Sequence, residues 1–111
     1  MTTYQVRITR RAERDLAHAQ DYIEFSLKNP QAADDLLDEA ERELSSLKQM
    51  PERFAIVDDN LLASWGIRFV QIKKYLAFYV ITEETRTVHI VRFLYGKSDW
   101  RSILRQGLSA E

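Results

Sequence analysis

Apolar and polar residues alternate with different periods along the chain, and the changes of period mark its elements. Tyr4, Val6 and Ile8 alternate with Gln5 and Arg7, the period of a short strand. Thr9 is suited to cap the helix that follows, because its hydroxyl can accept an orphan N–H of the first turn. Ala12, Leu16, Ala19, Ile23 and Leu27 then recur at steps of three and four, which predicts one apolar stripe on that helix. Asn29-Pro30 ends the first helix and opens a second, since proline fits the first helical position and asparagine can cap it. The second stripe is Ala33, Leu36, Leu37, Ala40, Leu44 and Leu47, and it stops near Met50-Pro51. A connection this short folds the two helices back as an antiparallel hairpin.

Residues 51–64 have no clear period and contain Asp58-Asp59-Asn60, which predicts a loop pinned to the core by Leu61, Leu62 and Trp65. Three β-branched and aromatic runs follow, at about 66–72, 75–82 and 86–95, with Lys73-Lys74 and Glu83-Glu84-Thr85 as the breaks. Gly96 ends the last run. Ser98 is placed to cap a final helix from Asp99 to Gln106, with Gly107 at its C-terminal end. The expected architecture is therefore α+β, a single domain over 1–111 in the order β-α-α-β-β-β-α.

Charge divides the chain into unequal parts. Residues 1–14 sum to +3, residues 15–60 to −8 and residues 61–111 to +4, giving the net −1. The acidic middle is the outer face of the hairpin: Asp34, Asp35, Asp38, Glu39, Glu41 and Glu43. It reads as a solvated helix face, because metal sites need convergent ligands and His18 and His89 are far apart in the chain. The absence of cysteine excludes disulfides, thiolate zinc sites and cysteine nucleophiles. No cofactor is expected. No run approaches the roughly 18 apolar residues of a membrane span, and Met1-Thr2-Thr3-Tyr4 has no apolar leader, so a cytoplasmic setting is expected. The basic second half places Arg68, Lys73, Lys74, Arg92 and Lys97 among the strands. Arg68 and Arg92 are equally suited to ion pairs within the fold, with Glu83 and Asp99 as candidate acids.

Several short motifs fall in a characteristic order: Tyr4-x-Val6, Ala12-x-x-Asp15-Leu16, Asn29-Pro30-x-Ala32-Ala33 and Leu47-x-x-x-Pro51. Gly66-x-Arg68, Tyr75-Leu76-x-Phe78-Tyr79 and Val88-x-Ile90-x-Arg92-x-Leu94-Tyr95-Gly96-Lys97-x-Asp99 complete it. Together they resemble the RelE/ParE superfamily, toxins of bacterial type II toxin–antitoxin modules that act in plasmid stabilisation and growth arrest. The resemblance implies a helical hairpin packed on a small twisted antiparallel sheet, with the first strand joining the last. It also implies a cognate antitoxin that buries an apolar segment across the hairpin and adds to the sheet.

Two activities are compatible with the resemblance. RelE-like members are mRNA interferases that cut mRNA on the ribosome, and ParE-like members inhibit DNA gyrase. Metal-free RNA cleavage needs a base for the 2′-hydroxyl, cations for the phosphorane and help for the leaving oxygen. In the nucleases one arginine follows the tyrosine that opens the middle strand, and another follows the Gly-Lys after the last strand. Here those places hold Leu76 and Ser98. If the chain is a ribonuclease, its catalytic candidates are Arg68, Arg92, Tyr95 and Lys97, with Tyr95 where many relatives carry histidine. A phenol is a poor base at neutral pH, and the sequence pI of about 6.1 is low for a protein that works inside ribosomes. The expectation is accordingly ParE-like, with the ribonuclease and an inert relative that keeps only antitoxin binding as alternatives.

Overall fold

The helical hairpin lies on one face of a four-stranded sheet, and the loop and last helix cover the other. The structure is a computed structural model that describes residues 3–107. Its elements are β1 (Gln5–Ile8), α1 (Arg10–Asp21), α2 (Pro30–Ser46), α3 (Asn60–Ser64), β2 (Arg68–Ile72), β3 (Tyr75–Thr82), β4 (Thr87–Tyr95) and α4 (Trp100–Arg105). The caps expected at Thr9 and Asn29 are present. Thr9 Oγ1 accepts the Ala12 N–H at 3.2 Å and Asn29 Oδ1 accepts the Ala32 N–H at 3.1 Å. Among the described residues no helix is long and apolar enough to cross a membrane.

The first helix departs from the periodic expectation at its end. From Tyr22 to Ser26 it widens into a π-turn, with the Leu27 N–H donating to the Tyr22 carbonyl at 3.0 Å. Lys28 then takes a left-handed conformation (φ 54°), and the Asn29 N–H closes on the Ile23 carbonyl at 3.0 Å. Around this turn Tyr22, Phe25 and Leu27 are 55%, 68% and 56% exposed, Leu27 despite its place on the predicted apolar stripe.

Residues 51–64 are more ordered than their lack of period suggested. Pro51–Arg53 forms a 3₁₀ turn, and Asp59 caps the five-residue α3 by accepting the Leu62 N–H at 3.1 Å. Of the three residues expected to pin this segment, only Leu62 is buried; Leu61 and Trp65 remain exposed, because one turn of helix can aim one leucine at the core. Ser98 does not cap α4. Its N–H and its hydroxyl both donate to the Tyr95 carbonyl, at 3.0 and 2.6 Å, so it serves the turn after β4. Asp99 takes the cap position, with no side-chain bond to the helix.

The sheet order is β1-β4-β3-β2. The three later strands form the expected antiparallel meander, and β1 joins β4 in parallel from Gln5 opposite Thr87 to Ile8 opposite Ile90. The buried positions of β3 and β4 alternate between two cores. Val70, Ile72, Ala77, Tyr79, Val88, Ile90 and Phe93 pack beneath Ala12, Leu36, Ala40, Leu44 and Leu47 of the hairpin. Phe78, Val91 and Leu94 face the other way, against Val57, Leu62, Ile67 and Leu104. A β-bulge interrupts the second pairing: Phe78 opposes Arg92 while Tyr79 opposes Ile90, leaving Val91 as the extra residue.

Candidate functional site

The bulge decides what Arg92 does. At Ile8 the first strand leaves the sheet, and Thr9 bonds back to β4 through its N–H to the Ile90 carbonyl at 3.1 Å. Beyond Ile90 the outer edge of β4 therefore loses its strand partner. Asp15, one turn into α1, takes that place: its carboxylate accepts the Phe93 N–H at 3.0 Å. The same carboxylate receives Arg92 as a fork, from Nε at 2.7 Å and Nη2 at 3.1 Å. Both side chains are close to nine-tenths buried. Arg92 thus fastens α1 to the sheet edge, and its acid is Asp15 rather than Asp99.

Arg68 is held at the opposite side of the sheet. Its Nη1 donates to the Phe54 and Glu52 carbonyls at 2.6 and 3.0 Å, tying the 3₁₀ turn to the first residue of β2. Tyr79, fully buried opposite Arg68, donates its hydroxyl to the Pro51 carbonyl at 2.6 Å. Burial pushes the Tyr79 phenol up to about 12, against the lowering influence of Arg68 and Arg53. Arg53 completes the arrangement by donating to the Ser46, Gln49 and Met50 carbonyls at the end of α2. Glu83, the other acid considered for the strand arginines, accepts the Tyr4 hydroxyl at 2.9 Å.

Tyr95 and Lys97 lie away from both arginines, where β4 ends beside the β2–β3 turn. Tyr95 is 42% exposed and meets Tyr75 edge to face, with centroids 5.6 Å apart. Partial burial, and then the neighbouring Tyr22 and Tyr95 phenols, hold the Tyr75 phenol above its ordinary range. Gly96 donates its N–H to the Lys74 carbonyl at 2.8 Å, and a Cβ at this position would lie 3.1 Å from the same oxygen. This close approach places Lys74, Tyr95 and Lys97 around one shallow hollow. Leu76, where a nuclease arginine would stand, packs against the second core.

The four sequence-predicted residues thus separate into three places. Arg68 and Arg92 bond to different elements, and only Tyr95 and Lys97 share a surface. A phosphorane needs several cations converging on one point; here Nε and Nη2 of Arg92 go to Asp15, and Nη1 of Arg68 goes to the 51–54 turn. Sequence reasoning did not find Asp15 as a partner, although it belongs to the Ala12-x-x-Asp15-Leu16 motif. Two apolar grooves were not foreseen either. One, of about 410 Å³, lies between α1, α2 and β1; the other, of about 780 Å³, lies at the closed tip of the hairpin.

The comparisons with known proteins agree with this architecture. No curated protein matches the chain in sequence at a significant level. A structure of the chromosomal ParDE toxin–antitoxin system from P. aeruginosa superposes with a TM-score of 0.67 at 18% identity, covering 84% of this chain and 96% of that one. A structure of the toxin–antitoxin complex RelBE2 from Mycobacterium tuberculosis gives a TM-score of 0.59 at 26% identity, covering 86% and 93%. The family model for the ParE toxin of type II toxin–antitoxin systems, parDE, matches residues 6–100. With that match running from β1 to the start of α4, this chain belongs to the ParE toxins, within the RelE/ParE superfamily of type II toxin–antitoxin modules.

Proposed function

We propose that this toxin arrests growth by binding DNA gyrase rather than by cleaving RNA, and that a cognate antitoxin holds it inactive. The observation that carries the choice is the internal use of the strand arginines. Arg92 is committed to Asp15 and Arg68 to the 51–54 turn. Leu76 and Ser98 supply no replacement cation. Among the described residues Arg68, Arg92, Tyr95 and Lys97 do not converge on one point, which favours action through a binding surface.

The antitoxin has a suitable seat at the open end of the hairpin. Val6, Ile8, Leu16, Leu37 and Leu44 line the 410 Å³ groove there. Gln5 and Thr9 direct their N–H groups toward β4, so by strand alternation the Val6 and Ile8 backbone groups face outward along this groove. An antitoxin segment with alternating apolar residues can pair with that edge while filling the groove, which supplies both affinity and register.

Primer extension on mRNA after a brief induction in cells tests the choice of target. Intact transcripts together with arrested growth and DNA-damage signalling are expected. Cuts at ribosomal A-site codons would instead establish an mRNA interferase, with Tyr95 and Lys97 as its exposed candidates. Harmless expression in the absence of antitoxin would identify an inert relative.

A further inference from the structure

The closed tip of the hairpin holds a second groove with a different character. Its floor is Ile23, Leu27, Ala32 and Leu36, and Tyr22, Tyr75 and Tyr95 stand at its walls. Lys73 and Lys74 of the β2–β3 turn line its mouth, Lys97 lies beside Tyr95 in the adjoining hollow, and Lys28 follows Leu27 in the hairpin turn. All four lysines are exposed, and among the described residues none of them is in an ion pair. The groove shares no lining residue with the one assigned to the antitoxin.

Three features make this a contact surface. Large apolar side chains are exposed together here: Tyr22, Leu27 and Tyr95 all line the groove and are 55%, 56% and 42% exposed. The backbone beside the groove is irregular, since the π-turn and the left-handed Lys28 depart from the regular helix a stripe of this sequence would form. The composition is that of an energetically dominant interface centre: aromatic anchors in a pocket, surrounded by charge at the rim.

We infer that this tip is the surface with which the toxin engages its target protein, through an acidic segment of gyrase that carries an apolar or aromatic anchor. The charge follows from the unpaired lysines, which complement carboxylates. The anchor follows from the aliphatic floor, which suits an apolar side chain better than the flat, polar-edged base of a nucleic acid. The inference rests on the gyrase reading above. It also separates the two partners: the antitoxin occupies the open end of the hairpin and the target occupies the closed tip.

The test compares the full-length toxin with Tyr22→Ala and with Lys73→Glu/Lys74→Glu. An Arg11→Glu/Arg86→Glu variant, altered by the same charge at exposed positions elsewhere, serves as the control. Thermal melts establish that each variant is folded. Supercoiling by purified gyrase, and binding of each toxin to immobilised gyrase and to the cognate antitoxin, are then measured. The expected result is at least a tenfold loss of gyrase binding and inhibition in both tip variants. Antitoxin affinity should stay within about threefold, and the control should behave as wild type. Full inhibition by the tip variants would overturn the inference while leaving the gyrase reading intact. A parallel loss of antitoxin binding would overturn it by making the tip an antitoxin contact, and tip-dependent binding to DNA alone would do so by making the ligand a nucleic acid. A wild-type toxin inert toward gyrase would overturn both.

Discussion

Asp15 receives two hydrogen bonds from Arg92 and one from the Phe93 amide, so removing either partner of the pair leaves a charge stranded near the core. Breaking a pair this well covered costs about 3–5 kcal/mol, and Arg92→Ala or Asp15→Ala should lower the unfolding free energy by that amount in urea titrations. Replacing both residues with apolar ones of similar volume should recover most of the loss, because the desolvation of two charges is then avoided. Tyr79 gives a second prediction. Its folded pKa lies near 12, above the ordinary value of about 10, so the native state holds this proton longer than the unfolded chain does. The linked stability is complete below pH ~10 and is lost as pH rises through the folded value. An absorbance titration of the five tyrosines should show one late step near 12, absent in Tyr79→Phe. Both residues were visible in the sequence as strand positions, but their partners were not. Arg92 and Asp15 are 77 residues apart, and the bulge that brings them together depends on where β1 leaves the sheet, which no local pattern records.

Between elements, the short helices are held by end contacts rather than by broad faces. Asp59 accepts the Leu62 N–H of α3 and the Arg105 guanidinium of α4, at 3.1 and 2.8 Å. The backbone bond from Leu62 is the main cause that holds its carboxyl below the ordinary range, with the Arg105 bond adding to it. Asp59 therefore contributes stability above the unfolded carboxylate pKa of about 3.9, and that contribution is lost as pH falls through the lower folded value. Asp59→Asn keeps the cap but not the charge. The stability difference between wild type and this variant should accordingly be present at neutral pH and shrink below pH ~4 in melts across a pH series. Long stripes and strong caps were legible at this scale: the hairpin, the Asn29-Pro30 break and the three-stranded meander all follow from them. Five residues are too few to show a period, so α3 was not. The π-turn was hidden for another reason, since Ile23 and Leu27 continue the helical spacing that the backbone abandons at Tyr22.

Across the whole molecule, the uneven charge of the sequence becomes a division of surfaces. The acidic outer face of α2 is exposed along Asp34, Asp35, Asp38 and Glu41, and the basic β2–β3 turn stands at the hairpin tip. The arginines that suggested RNA chemistry in the sequence are spent on holding the fold together, which a list of basic residues could not disclose. The proposed function, inhibition by binding the target, follows from that use of the arginines. The most direct measurement is the supercoiling activity of purified gyrase titrated with this toxin, with and without its antitoxin, beside a ribosome-programmed mRNA cleavage assay. Inhibition of supercoiling that the antitoxin reverses, with the mRNA left whole, is the predicted result. Unimpaired supercoiling with cleaved mRNA would contradict the account.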